Sequence, residues 1–166
     1  MPLIETLLPE FDREMGQTRK LIERAPEDQF DWKPHPSSMT LGRLAGHLTE
    51  LPGWASTAMT SSAFEVPPDR PPDDQRPASR AAVLALFDDT VTAARRNLAG
   101  KTDAEFLAPW TLTAEGKEVF TMPKIAMIRT FVLNHMVHHR GQMSVYLRML
   151  GVKIPSIYGP SGDERM

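Results

Sequence analysis

Three histidines crowd one short segment, "NHMVHHRGQ", and two of them have the spacing of metal ligands. His135 and His139 are four residues apart, so in a helix they share one face, with Cβ atoms roughly 6 Å apart. Two imidazoles at this spacing can each place a nitrogen about 2.0–2.1 Å from the same ion. His138 points about 100° away from His139, which predicts a surface residue or a neighbour of the site.

A third ligand is expected from a different helix. His47, in "LGRLAGHLTEL", lies beside the apolar stripe from Leu44 to Leu51 and can face the other two rings. Three imidazoles would leave coordination positions open for water or substrate, as in catalytic sites. A histidine on an apolar face is nevertheless more often a hydrogen-bonded core residue. His35, in "WKPHPSS", is predicted to be a loop residue.

Several neighbours of these histidines offer further chemistry. Glu50 lies one helical turn after His47 and could orient that ring or accept a proton, although an exposed helix carboxylate is the simpler interpretation. Gln142 could hydrogen-bond a water on the metal, or link two helices as a buried amide. Arg140 could pair with an acid or with a substrate carboxylate. Gly141 is costly inside a helix, which predicts close helix packing at that point.

Four amphipathic segments must position these residues. The periodicity predicts helices over about 3–24, from Leu41 with Thr40 as N-cap, over about 79–98, and from after Thr121 to Gly151 with Pro123 in the first turn. Pro52-Gly53 should kink or end the second helix. The segment 65–77 is rich in proline and charge, and we interpret it as a crossover loop. Alternation around Glu115-Gly116 predicts a short hairpin before the fourth helix.

The apolar faces of these segments predict an all-α four-helix bundle. On the third helix the predicted core residues are Val83, Leu86, Phe87, Val91 and Ala94. On the fourth, a wheel of 100° per residue puts one face on Ile128, Phe131, Val132, His135, His139, Gln142, Tyr146 and Met149. Trp32, Trp54 and Tyr146 are candidates for the mouth of an apolar pocket, with core packing as the alternative for each.

Composition narrows the class of protein. With 166 residues the chain is predicted to form a single domain, 1–166. A formal net charge of -2 provides no basic surface for nucleic acid. The N-terminal stretch "MPLIETLLPEFDREMG" is neither a signal peptide nor a membrane anchor, which indicates a cytoplasmic protein without a membrane partner. The chain has no cysteine, so thiolate ligands, disulfides and a cysteine nucleophile are excluded.

The stretches "DWKPHPSSMTLGRLAGHLTELPGW" and "NHMVHHRGQMSVYLRMLGVKIPSIYGPSGDE" resemble the DinB-like (DinB/YfiT) superfamily of metal-dependent enzymes. The resemblance implies an up-down-down-up four-helix bundle with a long crossover between helices 2 and 3. It also implies a divalent metal, nickel or zinc, held by His47, His135 and His139. Homodimers are frequent in the family. Some of its members are S-transferases that use low-molecular-weight thiols, and one is a thiol-dependent isomerase.

Three functions remain open at this stage. The first is a metal-dependent transferase that activates a low-molecular-weight thiol and adds it to a small electrophilic substrate. The second is a hydrolase in which the metal acidifies a water molecule, with Glu50 as the proton acceptor. The third is a non-catalytic bundle in which a metal only braces two helices.

Overall fold

The computed structural model of the protein describes residues 1–68 and 78–165. Within these ranges the α-helices are α1 (Leu3–Arg24), α2 (Leu41–Thr60), α3 (Arg80–Leu98), α4 (Asp103–Leu107), α5 (Lys124–Met127) and α6 (His135–Met149). A short 3-10 helix spans Glu27–Gln29, and a π-helix spans Ile128–Asn134. The strands are β1 (Ala63–Val66), β2 (Pro109–Ala114) and β3 (Lys117–Pro123).

Side-chain caps explain where several helices begin. The Thr40 hydroxyl accepts a hydrogen bond from the backbone N–H of Arg43, and the Ser79 hydroxyl accepts one from Ala82. Each cap satisfies one of the backbone N–H groups that have no partner inside the first helical turn. These contacts confirm the predicted N-cap at Thr40 and fix the start of α3 one residue after Ser79.

The three strands form one sheet in the order β1-β2-β3. β2 and β3 are the predicted antiparallel hairpin, and its turn uses positive φ angles at Glu115 (51°) and Gly116 (71°). Two successive residues with positive φ match the twist of a tight hairpin. β1 pairs with β2 in parallel and was not predicted. The all-α prediction is therefore wrong to the extent of this small sheet.

Three further predictions about where elements begin and end need correction. α2 does not end at Pro52-Gly53 but continues to Thr60, with Pro52 buried inside it. The proposed crossover 65–77 begins within strand β1, and its residues 69–77 lie outside the described part of the chain. The predicted fourth helix starts at Lys124 rather than directly after Thr121, and Pro123 is the last residue of β3 instead of a residue of the first helical turn.

The last helical segment is not one regular α-helix. The π-helix Ile128–Asn134 separates α5 from α6, and its i→i+5 hydrogen bonds make each turn wider than 3.6 residues. A wheel of 100° per residue therefore fails across it. Of the face predicted with it, Ile128, Val132, His139 and Tyr146 are buried. Gln142 and Met149 are exposed although they lie within the regular helix α6, so the π-helix does not account for their exposure.

The helices pack around one apolar core. α2 and α1 both contact α3, and both also contact α6, while the sheet lies beside them. Leu86 was predicted in this core but is 50% exposed on α3, whereas Val83 and Phe87 on the same helix are fully buried. This packing is consistent with a helical bundle but does not confirm the predicted four-helix arrangement. In residues 1–68 and 78–165, no helix has both the length and the apolar character needed to cross a membrane.

Gly141 was predicted to lie at a close contact between helices, and this prediction is wrong. In the described part of the chain, a Cβ at this exposed position would meet no heavy atom within 4 Å beyond the adjacent residues and its own helix backbone. Gly141→Ala should therefore raise the free energy of unfolding by about 1 kcal/mol, because alanine favours the helix. Urea denaturation measures this change.

Gly42 provides the matched control for that substitution. A Cβ there would lie 3.0 Å from Cβ of Phe30 and 3.1 Å from its carbonyl oxygen. Gly42→Ala should destabilise the protein by about 1–3 kcal/mol, since the added methyl group overpacks a buried contact. A loss of stability in Gly141→Ala, comparable to that in Gly42→Ala, would contradict the interpretation of Gly141 as open.

Candidate metal centre

The three predicted histidines meet in the structure. α2 carries His47, while α6 begins with His135 and carries His139 one turn later. Their candidate ligand nitrogens all lie within 4.8 Å of one another. Nε2 of His135 and Nε2 of His139 are 2.8 Å apart, and the His47 ring centroid is 4.6 Å from that of His139. These side chains are only partly exposed, with His139 at 7%.

The other nitrogen of each ring faces an oxygen. Nδ1 of His47 lies 2.8 Å from Oε2 of Glu50, and Nδ1 of His139 lies 2.7 Å from Oε1 of Gln142. The His135 ring hydrogen-bonds the backbone carbonyl of Phe131, and Nδ1 is the nitrogen left for that contact. A proton on each Nδ1 satisfies these oxygens and leaves a lone pair on each Nε2.

Three lone pairs directed at one region are the donor set that a divalent metal requires. The 2.8 Å contact between Nε2 of His135 and Nε2 of His139 has no proton to share when both Nδ1 atoms are protonated. A cation between the two nitrogens would remove this repulsion, and imidazole is a common ligand of zinc, nickel, copper and iron. The residues therefore fit a three-histidine metal site.

The lowered pKa values of His135 and His139 keep these two rings neutral at physiological pH, as ligation requires. Burial lowers the pKa of His139 to about 4; the hydrogen bond to Gln142 opposes this shift, and the nearby His47 and His135 rings add to it. Burial also lowers the pKa of His135, together with the His47 and His138 rings. Protonation therefore competes little with a metal near pH 7.

Glu50 is in contact with the site through His47. Its second oxygen, Oε1, accepts a hydrogen bond from Nη1 of Arg43 at 3.1 Å. Burial alone would raise the pKa of the Glu50 carboxyl, but the hydrogen bond to His47 and the charge of Arg43 bring it below its ordinary value. Glu50 is thus an ionised carboxylate that orients His47.

Gln142 lies behind His139 rather than beside the Nε2 atoms. Its Oε1 contacts His139, and its Nε2 donates to Nε2 of His138 at 3.1 Å. The exposed His138 therefore neighbours the site without entering the ligand set, as predicted. The amide of Gln142 fixes which tautomer and which orientation the His139 ring adopts.

Gln142→Ala should weaken metal affinity by about 10- to 100-fold, because the ligand His139 loses the acceptor that orients it. Gln142→Glu is the matched control and should keep most of the affinity, since a carboxylate oxygen also accepts from Nδ1. Competition between the protein and a chelator of known affinity measures both values. Unchanged affinity in Gln142→Ala would show that helix packing alone orients the ring.

A cavity of about 270 Å³ opens beside the histidines. One end is polar and includes Arg43, Glu50 and the rings of His47 and His135. The remaining wall is apolar and comes from several elements: Leu51, Trp54, Val66, Trp110, Leu112, Phe120, Met127 and Phe131. A small molecule in this cavity would have its polar end next to the candidate metal ligands.

The other residues predicted near the site lie elsewhere. Trp32 and Tyr146 pack edge to face with ring centroids 5.5 Å apart and do not line this cavity, whereas Trp54 does. Nδ1 of His35 accepts a hydrogen bond from the backbone of Ser37, in the predicted loop. Arg140 is buried against Glu14 of α1 and does not line the cavity.

Sequence reasoning missed most of the cavity wall. Trp110, Leu112 and Phe120 reach it from β2 and β3, and their alternation in the hairpin was the signal that could have placed them together. Arg43 also escaped notice, although it lies one helical turn before His47 and one more turn separates His47 from Glu50.

Comparisons with known proteins identify the family and the fold. Residues 1–165 match the DinB family. The protein YrdA of Bacillus subtilis (strain 168) is 27% identical over 173 residues, covering 97% of this chain and 91% of its own. A crystal structure of a DinB-like protein from Bacillus cereus ATCC 10987 has a TM-score of 0.74 at 24% identity, covering 95% of this chain and 98% of that one.

A second solved structure, the DinB-like protein YjoA of Bacillus subtilis, has a TM-score of 0.68 at 17% identity and covers 90% of this chain and 95% of its own. At these identities the two structures show the fold alone, which is DinB-like: mostly helical with a small sheet. The family match extends over nearly every residue, including all three histidines. The chain therefore belongs to the DinB family.

Proposed function

We propose that this protein is a metal-dependent transferase that joins a low-molecular-weight thiol to a small electrophile. The observation that carries the proposal is that the His47, His135 and His139 nitrogens lie within 4.8 Å of one another, and that His47 and His135 line the polar end of an otherwise apolar cavity. The ion would be nickel or zinc. We also expect the up-down-down-up bundle order, a homodimer and a cytoplasmic location; these stay predictions.

The proposed reaction is RSH + R′X → RSR′ + HX. A bound divalent ion would supply acidity, because a coordinated thiol loses its proton. The thiol sulfur would form the new S–C bond as the bond to X breaks, and the released proton would leave with X as HX. The chain's own residues hold the three imidazoles in one tautomer, and the apolar wall excludes bulk water from the electrophile.

Hydrolysis with Glu50 as general base is less well supported. Both oxygens of Glu50 already accept hydrogen bonds, from His47 and from Arg43. A carboxylate with a lowered pKa is a weak base, whereas a general base works best with a pKa near the operating pH. If hydrolysis does occur and Glu50 is the base, Glu50→Gln should abolish it while leaving the metal content unchanged.

The test begins with elemental analysis of protein purified without a histidine tag. Protein carrying its metal is then incubated with a panel of cellular thiols and small electrophiles, including 1-chloro-2,4-dinitrobenzene. Support requires turnover that chelation removes and metal restores, that His139→Ala abolishes, and that His138→Ala retains. A loaded protein without metal-dependent turnover across the panel would overturn the proposal and leave a metal that only braces α2 and α6.

A further inference from the structure

Four aromatic rings from four different elements form one continuous wall of the cavity. Trp54 of α2 lies 6.4 Å from Trp110 of β2, and Trp110 lies 6.2 Å from Phe120 of β3. Phe120 in turn stacks on Phe131 of the π-helix, with centroids 5.1 Å apart and planes 5° apart. A ligand ring that packs offset or edge-on against one of these side chains would gain about 0.5–1.5 kcal/mol per aromatic pair beyond simple burial.

The polar atom of Trp110 is engaged outside this wall. Its Nε1 donates to Oγ of Ser61 at 3.3 Å, and the residue is fully buried. Trp110 therefore supports the wall from behind, while Trp54, Phe120 and Phe131 are the partly exposed rings that face the cavity. Leu112 and Val66 extend the same apolar lining from β2 and β1. The wall offers stacking and dispersion contacts, but few polar partners.

The volume of the cavity sets a scale for its ligand. An apolar cavity of about 150 Å³ is large enough to hold benzene in a protein interior. This cavity, at about 270 Å³, has room for one such ring and a short substituent. A rigid system of three fused rings would not fit without displacing the aromatic side chains.

The charges at the polar end favour an anionic substituent. Glu50 is already paired with Arg43 at 3.1 Å, so the two side chains nearly cancel each other's charge. His47 and His135 face the same end with free lone pairs, and the metal they would hold adds positive charge. The oxygen of a carboxylate or phenolate, or the sulfur of a thiolate, is therefore favoured there over an ammonium group.

We propose that this cavity binds a compound with one aromatic ring and a short anionic substituent, with the ring against Trp54, Phe120 and Phe131 and the anion toward the histidines. The inference rests on the proposed function for what happens at the anionic end. The binding itself requires no turnover, so the two proposals can fail separately.

The test measures binding of benzoate to the purified, metal-loaded protein by titration calorimetry. Benzoate should bind about two- to tenfold more tightly than cyclohexanecarboxylate, which has a similar size but no aromatic ring. Acetate should bind at least tenfold more weakly than benzoate, and 9-anthracenecarboxylate should not bind. Equal affinity for benzoate and acetate would overturn the proposal, because it would show that the aromatic wall contributes nothing.

Two tryptophan substitutions on neighbouring strands locate the binding. Leu112→Trp fills the cavity from β2 and should lower the affinity for benzoate at least tenfold, while the metal content stays unchanged. Val119→Trp adds the same ring on β3 at a position that is 57% exposed and should bind like the unchanged protein. Phe131→Leu keeps an apolar contact but removes stacking, so it should lower the affinity for benzoate. This variant tests the proposal if Leu112→Trp does not fold. Full affinity in the folded cavity variants would refute the assignment.

Catalysis and binding then give separable outcomes. Benzoate binding without any thiol transfer would support the proposed ligand of the cavity and contradict the proposed transferase activity. Thiol transfer to aliphatic electrophiles without benzoate binding would retain the transferase and remove the aromatic ligand.

Discussion

His139→Ala is expected to weaken metal binding by more than 100-fold. Loss of a partner that only orients a ligand already costs about 10- to 100-fold, and this substitution removes a ligand itself. His139 is also the most buried of the three, so no other histidine can move into its place without disturbing α6. Competition with a chelator, and the rise in melting temperature on adding metal, measure the effect.

His138→Ala is the matched control for that experiment. It removes an imidazole from the adjacent position on the same helix, but His138 is exposed; it contacts the His139 ring edge to face and hydrogen-bonds Gln142 without belonging to the ligand set. Its metal affinity should fall by less than tenfold. Metal should raise the melting temperature of this variant as it does that of the unchanged protein. Comparable losses in both variants would contradict the assignment of His139 as a ligand.

Arg140→Ala is expected to lower the free energy of unfolding by about 3–5 kcal/mol. The Arg140 side chain is 2% exposed, and its Nη2 lies 2.6 Å from Oε2 of Glu14, which also accepts from the Tyr158 hydroxyl. Removing the arginine leaves the Glu14 carboxylate buried without its main counter-charge, and breaking a buried pair in this way is costly. Urea denaturation near neutral pH gives the magnitude.

Arg148 provides a comparison on the same helix. It pairs with Asp163 at 2.6 Å, but its side chain is 49% exposed, so Arg148→Ala should destabilise the protein much less than Arg140→Ala. The double variant Arg140→Met, Glu14→Leu should recover much of the lost stability, because no charge is then buried alone. A cost below about 1 kcal/mol for Arg140→Ala would show that water reaches this pair.

Features that depend on local sequence were predictable. α1 and α3 follow from apolar periodicity and capping residues, and the hairpin follows from alternation around Glu115-Gly116. The three candidate metal ligands could be predicted for the same reason. His135 and His139 are related by one helical turn, and His47 lies beside an apolar stripe that had to face another helix.

Features that depend on distant contacts were not predictable. Strand β1 exists only through its parallel pairing with β2, more than forty residues later, and its own four residues carry no turn or hairpin signal. The exposure of Leu86 and the open surroundings of Gly141 likewise depend on which neighbours are present. Gln142 was connected to the site by a wheel that assumed one regular helix, whereas its amide binds His139 from behind.

The π-helix before His135 makes the number of residues in this segment critical, because adding or removing one residue would change how the segments on either side are oriented. Phe131 lines the cavity and its carbonyl accepts from the His135 ring, so one stretch of backbone sets both an apolar surface and a candidate ligand. Deleting one residue there would restore regular α-helical hydrogen bonding and rotate everything before it by about 100° relative to the histidines. Substitutions can vary the cavity freely, but an insertion or deletion in this turn would separate its wall from its ligands.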